Sequence, residues 1–197
     1  MTPPLHVLAV SGSPNRSSAT RAVIQNLADQ LAAAGVPVDL LDLAEEPLPL
    51  FHPESSPEAA SFPKLKARVD AADVLLLGTP DYHGSFTGTL KNFLDHFWQE
   101  FAGKTFATVV ASYDKGLTAT DQLRTVARQC YAWSMPYAVT FADQAEVKDG
   151  QIISDAFKQR LEMFARDIRV YGALLAQQRR ADLEGADISF LARLRKK

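Results

Sequence analysis

The chain has 197 residues, with 21 Lys and Arg against 23 Asp and Glu and a formal net charge of −2. That length suits one α/β domain with at most an appendage, and the near-balanced charge excludes a global pull toward nucleic acid or membranes. A single cysteine excludes a disulfide framework and any cysteine-rich zinc or iron–sulfur site. No apolar run reaches the roughly 18 residues of a membrane span, and the N-terminus has neither a basic start nor a long enough apolar stretch for secretion. A cytoplasmic protein is expected.

Residues 5–10 form a short apolar run that ends in Ser-Gly-Ser-Pro, which reads as a buried strand entering a loop. Val23, Ile24, Leu27, Leu31 and Ala34 then recur on one helical face, opened by Ser17 or Ser18 as cap and stopped by Gly35. Residues 36–43 alternate around Asp39 and Asp42 and predict a second strand. Five of the eleven prolines fall within 47–63, together with Leu48, Leu50 and Phe51, so this stretch reads as an ordered excursion over one domain. Phe62, Leu65, Val69 and Ala72 mark a short helix. Strands are predicted at 74–77, 106–111 and 137–141, with helices over 88–101 and 117–130 between them. A long final helix is expected over 155–177, carrying Leu161, Phe164, Ile168 and Leu175 on one face. Apolar strands alternating with helices imply a parallel sheet covered on both faces. Five such strands suit a flavodoxin-like three-layer α/β/α sandwich of order 2-1-3-4-5.

The expected division is a domain over residues 1–178 and a basic C-terminal extension over 179–197. Residues 178–197 hold six basic and three acidic side chains. They read as a solvated or oligomer-contacting tail with a short helix around 188–194, rather than a nucleic-acid arm.

In an open α/β sheet the ligand lies at the carboxyl ends of the strands, near the switch point. The loop there, Ser11 to Thr20, has four serines, one threonine, one arginine and no acid, and it leads into a helix N-terminus. Converging hydroxyls, backbone N–H groups and the helix dipole suit a phosphate, to which Arg16 can add a charge-assisted fork. An ordinary capped βα turn is the competing reading. The P-loop pattern and GxGxxG are both absent, which counts against nucleotide hydrolysis and a Rossmann site.

After the third strand comes Thr79-Pro80-Asp81-Tyr82-His83-Gly84-Ser85-Phe86-Thr87-Gly88-Thr89-Leu90-Lys91-Asn92-Phe93-Leu94-Asp95. This block resembles the NADPH-dependent FMN reductase family, whose signature there is P-[ED]-Y-[NH]-G-S-x-x-G-x-L-K-N-x-[LI]-D. Pro80, Tyr82, Gly84, Ser85, Gly88, Leu90, Lys91, Asn92 and Asp95 match it. With Gly12, Ser13, the Leu48-Pro49-Leu50 loop and the order of elements, the resemblance covers about residues 5–175.

The resemblance implies bound FMN, NADPH or NADH as hydride donor, and a small acceptor such as a flavin, quinone, azo compound or chromate. By position, Ser11, Ser13, Arg16, Ser18 and Thr20 are expected at the phosphate. Many members have arginine where this chain has Asn15, with its basic residue one place later. Pro80, Asp81, Tyr82, His83, Gly84 and Ser85 are expected to edge the isoalloxazine, with Tyr82 and Phe86 as wall and Gly84 allowing close main-chain approach. The loop Ser112, Tyr113, Lys115 and Gly116 is expected at the pyrimidine edge, where Lys115 can stabilise negative charge. No side chain need act as an essential acid or base, because the cofactor carries the chemistry. Helix 88–101 carries Leu90, Leu94, Phe97, Trp98 and Phe101, a wide apolar stripe that predicts a homodimer or homotetramer through this helix. Cys130 reads as core. A flavodoxin-type electron carrier and a non-catalytic flavin-binding protein are the alternatives. The carrier's T-x-T-G-x-T loop and strong acidity are both missing.

Overall fold

The computed structural model describes residues 4–195, so residues 1–3 of the expected domain and 196–197 of the expected extension lie outside the described residues. In chain order the elements are β1 (Val7–Ser11), α1 (Ala19–Ala33), β2 (Val38–Asp42), α2 (Phe62–Ala71), β3 (Val74–Tyr82), β4 (Ser85–Phe86) and α3 (Gly88–Asp95). There follow β5 (Thr105–Ala111), α4 (Leu117–Gln129), β6 (Trp133–Ser134), β7 (Val139–Phe141), β8 (Val147–Lys148), β9 (Gln151–Ile152) and α5 (Asp155–Glu184).

The parallel sheet runs β2-β1-β3-β5, with Val7 opposite both Val38 and Val74 and Val74 opposite Thr105. This is the flavodoxin-like order expected from the sequence. The sheet has seven strands rather than five because its last position is divided. β6 lies beside the start of β5 and β7 beside its end. Pro136, which has no N–H to offer a ladder, stands between them. The seventh strand is the two-residue β4, antiparallel to the end of β3. β8 and β9 form a separate hairpin on an Asp149-Gly150 turn, both residues with positive φ (49° and 74°). Those signs are what a two-residue type I′ connection demands.

Because strand side chains alternate, each central strand feeds two cores. Val7, Ala9, Val74 and Leu76 pack beneath α1 and α5. Leu8, Val10, Leu75 and Leu77 pack beneath α2, α3 and α4. Each fully buried side chain of this kind contributes roughly 1.5–3 kcal/mol, so a one-residue register slip would forfeit both faces at once.

Two expectations need correction. The helix predicted over 88–101 ends at Asp95, and Phe101 arrives on a separate 3-10 turn, Gln99–Phe101. Leu90, Phe93, Leu94, Phe97 and Phe101 are all buried, with Phe93 and Phe101 at 6.4 Å between ring centroids. The stripe read as a partner surface is therefore core; of it only Trp98 remains exposed. Second, the boundary expected at 178 falls inside α5, which continues unbroken to Glu184. Beyond it the chain folds back: Leu191 is buried against Gly103, and Arg193 lies 4.0 Å over the Tyr131 ring. The helix expected near 188–194 is a single 3-10 turn at Ala192–Leu194. Arg179 and Arg195 donate to the carbonyls of Ala102 and Asp182 at 2.9 and 2.8 Å, so the basic side chains finish backbone groups.

The proline-rich excursion is ordered, as its apolar residues suggested. Asn92 anchors it, accepting from Phe51 N at 2.7 Å and donating to Pro49 O at 2.9 Å. No helix of the described residues is long and apolar enough to cross a membrane.

Candidate functional site

β1 is flanked by β2 and β3, so the loops leaving β1 and β3 diverge at the carboxyl edge of the sheet and open a crevice. Gly12 allows them to begin close together. Its amide donates to Gly78 O at 2.8 Å, and a Cβ on Gly12 would lie 2.6 Å from that oxygen. Thr87 ties the third-strand segment to the first loop. Its hydroxyl donates to Gly12 O at 2.6 Å and accepts from Leu90 N at 3.1 Å, capping α3. Thr87 N donates to the Thr79 hydroxyl at 3.0 Å, which donates to Pro80 O at 2.8 Å. These buried polar groups satisfy one another, which fixes the crevice floor without charge.

The first loop is folded by its own side chains. Asn15 N donates to Ser13 Oγ at 3.2 Å, and Ser17 N to Asn15 Oδ1 at 3.0 Å. Ser18 caps α1 by accepting from Arg21 N at 3.1 Å. Ala19 and Thr20, in the first turn, are left without intrahelical acceptors, as at any helix start.

A cavity of about 230 Å³ opens there. Ser13, Asn15, Ser18 and Thr20 line its first-loop side, Pro80, Asp81 and Tyr82 its third-strand side, and Ser112 and Tyr113 its fourth. The structure brings these nine expected residues together. Tyr82 and Tyr113 are 48 % and 89 % exposed, standing as walls rather than core. A neighbouring 540 Å³ cavity shares Ser17, Ser18, Ala19 and Asp143 with it and extends along α1. A larger apolar groove of 710 Å³ lies behind the β3–β4 hairpin, between α3 and α4, away from the loop donors.

Seven expected residues lie off the wall. Ser11 is fully buried beneath the loop, and its hydroxyl has no partner among the described residues. Arg16 has its side chain 71 % exposed, lines the neighbouring cavity and faces Glu45 at 3.6 Å, so it does not point at the loop donors. His83 and Gly84 form the hairpin turn, with φ of 59° and 80°. Ser85 faces the groove behind. Lys115 is exposed, and Gly116 is buried as the left-handed cap of α4. Phe86, expected as wall, is core.

Four wall residues were not anticipated: Ser17, Ala19, Ala111 and Asp143. Ser17 belongs to the same hydroxyl run. Asp143 follows β7 and reaches the site by the carboxyl-end rule that located the other loops.

The cations at the first loop are held by carboxylates, Arg16 by Glu45. Arg21, at the start of α1, pairs with the buried Asp42 at 2.6 Å. Asp81 is engaged on both oxygens, accepting from Gly84 N at 2.8 Å and from the Ser112 hydroxyl at 3.1 Å. Asp143 accepts from Gln144 N at 2.8 Å.

This donor set fits FMN. Hydroxyls and first-turn amides suit its phosphate, and tyrosine walls with free backbone edges suit a flat ring that has a polar rim.

Comparison with known proteins identifies the family. Residues 5–146 match the family model described as NADPH-dependent FMN reductase. A protein of Bacillus sp. strain OY1-2 named NADPH azoreductase is 33 % identical over 171 residues, covering 85 % of this chain and 92 % of that protein. The NADH-dependent FMN reductase SfnE of Pseudomonas putida is 32 % identical over 179 residues, covering 88 % and 96 %. Among solved structures, an NADH:FMN oxidoreductase in its apo form superposes with a TM-score of 0.69 at 21 % identity, covering 85 % of this chain and 89 % of that one, a likeness of fold. The chain therefore belongs to the NADPH-dependent FMN reductase family.

Proposed function

We propose that the protein is an FMN-dependent NAD(P)H oxidoreductase whose cofactor lies in the crevice bounded by the loops after β1, β3 and β5. The observation that carries this reading is the acid-free first loop, with free first-turn amides, set opposite the exposed Tyr82 and Tyr113. FMN, when bound, accepts a hydride from NAD(P)H and passes the electrons to an oxidised acceptor.

The chain's own residues supply position. Ser13, Ser18, Thr20 and the start of α1 hold the phosphate. Pro80 and the main chain of Asp81 and Tyr82 edge the ring, and Tyr82 and Tyr113 flank it. Asp81 is not a free base, since both its oxygens are committed to the hairpin and to Ser112. We take proton transfer to fall to solvent and acceptor. Arg16, Lys115 and His83 sit at the entrance rather than on the wall, where they meet an incoming anionic dinucleotide. Ser11 and Gly116 shape the loops from below.

We place the protein in the cytoplasm, where its one thiol, the buried Cys130, is kept reduced. We also read it as a homo-oligomer, with the α3–α4 groove as the contact. The acceptor is taken to be a flavin, a quinone, an azo compound or chromate. The test is an anaerobic absorption spectrum of the purified, FMN-loaded protein before and after NADPH or NADH. Flavin bands that bleach support the reading. Protein that retains no flavin after loading, or flavin that stays oxidised with both donors, would overturn it.

A further inference from the structure

The tip of the third-strand segment is a very small hairpin. β3 and β4 share two facing pairs, Asp81 with Phe86 and Tyr82 with Ser85. His83 and Gly84 turn it with positive φ at both positions. Two-stranded hairpins of this size do not hold themselves in water. Yet this one separates the crevice, on the Tyr82 side, from the α3–α4 groove, on the Ser85 side. Something outside it must set its position.

From the crevice side it is held by Ser112, through Asp81. From the groove side it is held by a residue that no motif points to. Gln122, on α4, accepts from the Ser85 hydroxyl at 2.7 Å and donates through Nε2 to Gly84 O at 3.3 Å. One amide thus grips a side chain and a main-chain carbonyl of the turn together. The Gly84 carbonyl fixes which way the amide points, because the reverse orientation would set two acceptors face to face. The residues are 37 and 38 apart in sequence, so the contact fastens the hairpin to a different layer of the fold.

We propose that Gln122 is a positioning residue for the flavin: it fixes the 82–86 hairpin from behind, so that its front edge meets the ring in one geometry. Gln122 does not line the crevice, and it acts through Gly84 and Ser85. The proposal rests on the cofactor reading above. Its consequence is pre-organisation, because a hairpin already held need not be ordered when the cofactor binds.

The test uses the full chain, with FMN removed and added back. Gln122→Met keeps the side chain's length and removes both hydrogen bonds. It should weaken FMN binding about tenfold by flavin-fluorescence titration, change the visible circular dichroism of the bound flavin, and speed amide exchange in residues 82–86 of the apoprotein. The melting temperature should stay close to that of wild type. Ser85→Ala, which removes one of the two bonds, should give the same signs with smaller size. Gln122→Glu keeps the acceptor for Ser85 but opposes the Gly84 carbonyl, so it should recover only part of the loss. If Gln122→Met fails to fold, Ser85→Ala and Gln122→Glu carry the test. Wild-type protein that takes up FMN beside variants with unchanged affinity, dichroism and exchange would overturn the proposal alone. Wild-type protein that takes up no FMN would overturn the cofactor reading and this proposal with it.

Discussion

The two ends of the sheet solve the problem of buried polar groups in opposite ways. At the carboxyl end, apart from the Arg21–Asp42 pair beside β2, the contacts that tie the first and third loops together are neutral: Thr87 to Gly12, Thr79 to Pro80, Asn15 to its own loop. At the amino end they are ionic. Asp73 accepts from His6 N at 3.0 Å and pairs with Arg180 at 2.6 Å. Lys104 is only 1 % exposed and donates to the last carbonyls of α2, those of Val69 and Asp70. The difference teaches how a site for an anion can be kept open. A fixed network of ions sets its own local potential and uses up its donors. A hydroxyl network holds the loops and leaves the helix-start amides for a ligand.

The comparison breaks most sharply at Gly12. A methyl there would lie 2.6 Å from Gly78 O and 2.8 Å from the Leu90 Cβ. Gly12→Ala should therefore destabilise the protein by about 3 kcal/mol, at the upper end of overpacking costs. Urea unfolding measures it, and an unchanged midpoint would mean that β1 and β3 part without penalty. Thr87→Val keeps the shape but orphans Gly12 O and Leu90 N. A loss of about 2 kcal/mol is expected, mostly regained in Thr87→Ser, and a loss below a few tenths would show that the neutral network is not what holds the crevice floor.

The ionic end supplies a pH signature. Burial, with Arg179 nearby as the next cause, pulls Lys104 down from 10.5 to about 7. Between those values the unfolded chain holds a proton that the folded one has released. Stability should then rise with pH across this window, by roughly 1 kcal/mol per unit. Lys104→Met should remove that slope. Wild type and variant with parallel stability profiles from neutral to mildly alkaline pH would refute the assignment. The smallest effect belongs to Arg16. Its exposed pairing with Glu45 predicts that Arg16→Ala changes FMN affinity by less than about 0.5 kcal/mol. A much larger loss, read by fluorescence titration, would show that the side chain leaves Glu45 for the phosphate.

Much of this fold was legible because apolar runs and helical periods agree with one another along residues 5–175. The failures have physical reasons. Phe97 and Phe101 continue the spacing of a helix, but a 3-10 turn presents the same face, so the period could not show where α3 stops. The tail read as solvated because it is charged, whereas Arg179 and Arg195 use their charge on backbone carbonyls and Leu191 is buried among them. Asp149-Gly150 is a hairpin turn signal, but the strands on either side of it have two residues each, too few for alternation to show. At the site, position in a motif located the loops but not the direction of each side chain. Arg16 and Ser85 stand in the expected segments and face elsewhere, and Lys115 is exposed off the wall. Gln122 was invisible because tertiary structure alone brings it to the hairpin, whereas Asp143, just after β7, lay within reach of the carboxyl-end rule.

The divided last strand has a bearing on how molecules of this protein behave in a crowd. β6 offers two residues of ladder and β7 three, with Pro136 between them. An outer strand that is cut into pieces this short cannot template a neighbour's backbone over any useful length. This margin of the sheet, opposite β2, is thereby made a poor seed for fibrils, at the cost of two hydrogen-bonded segments where an unbroken strand would have had one.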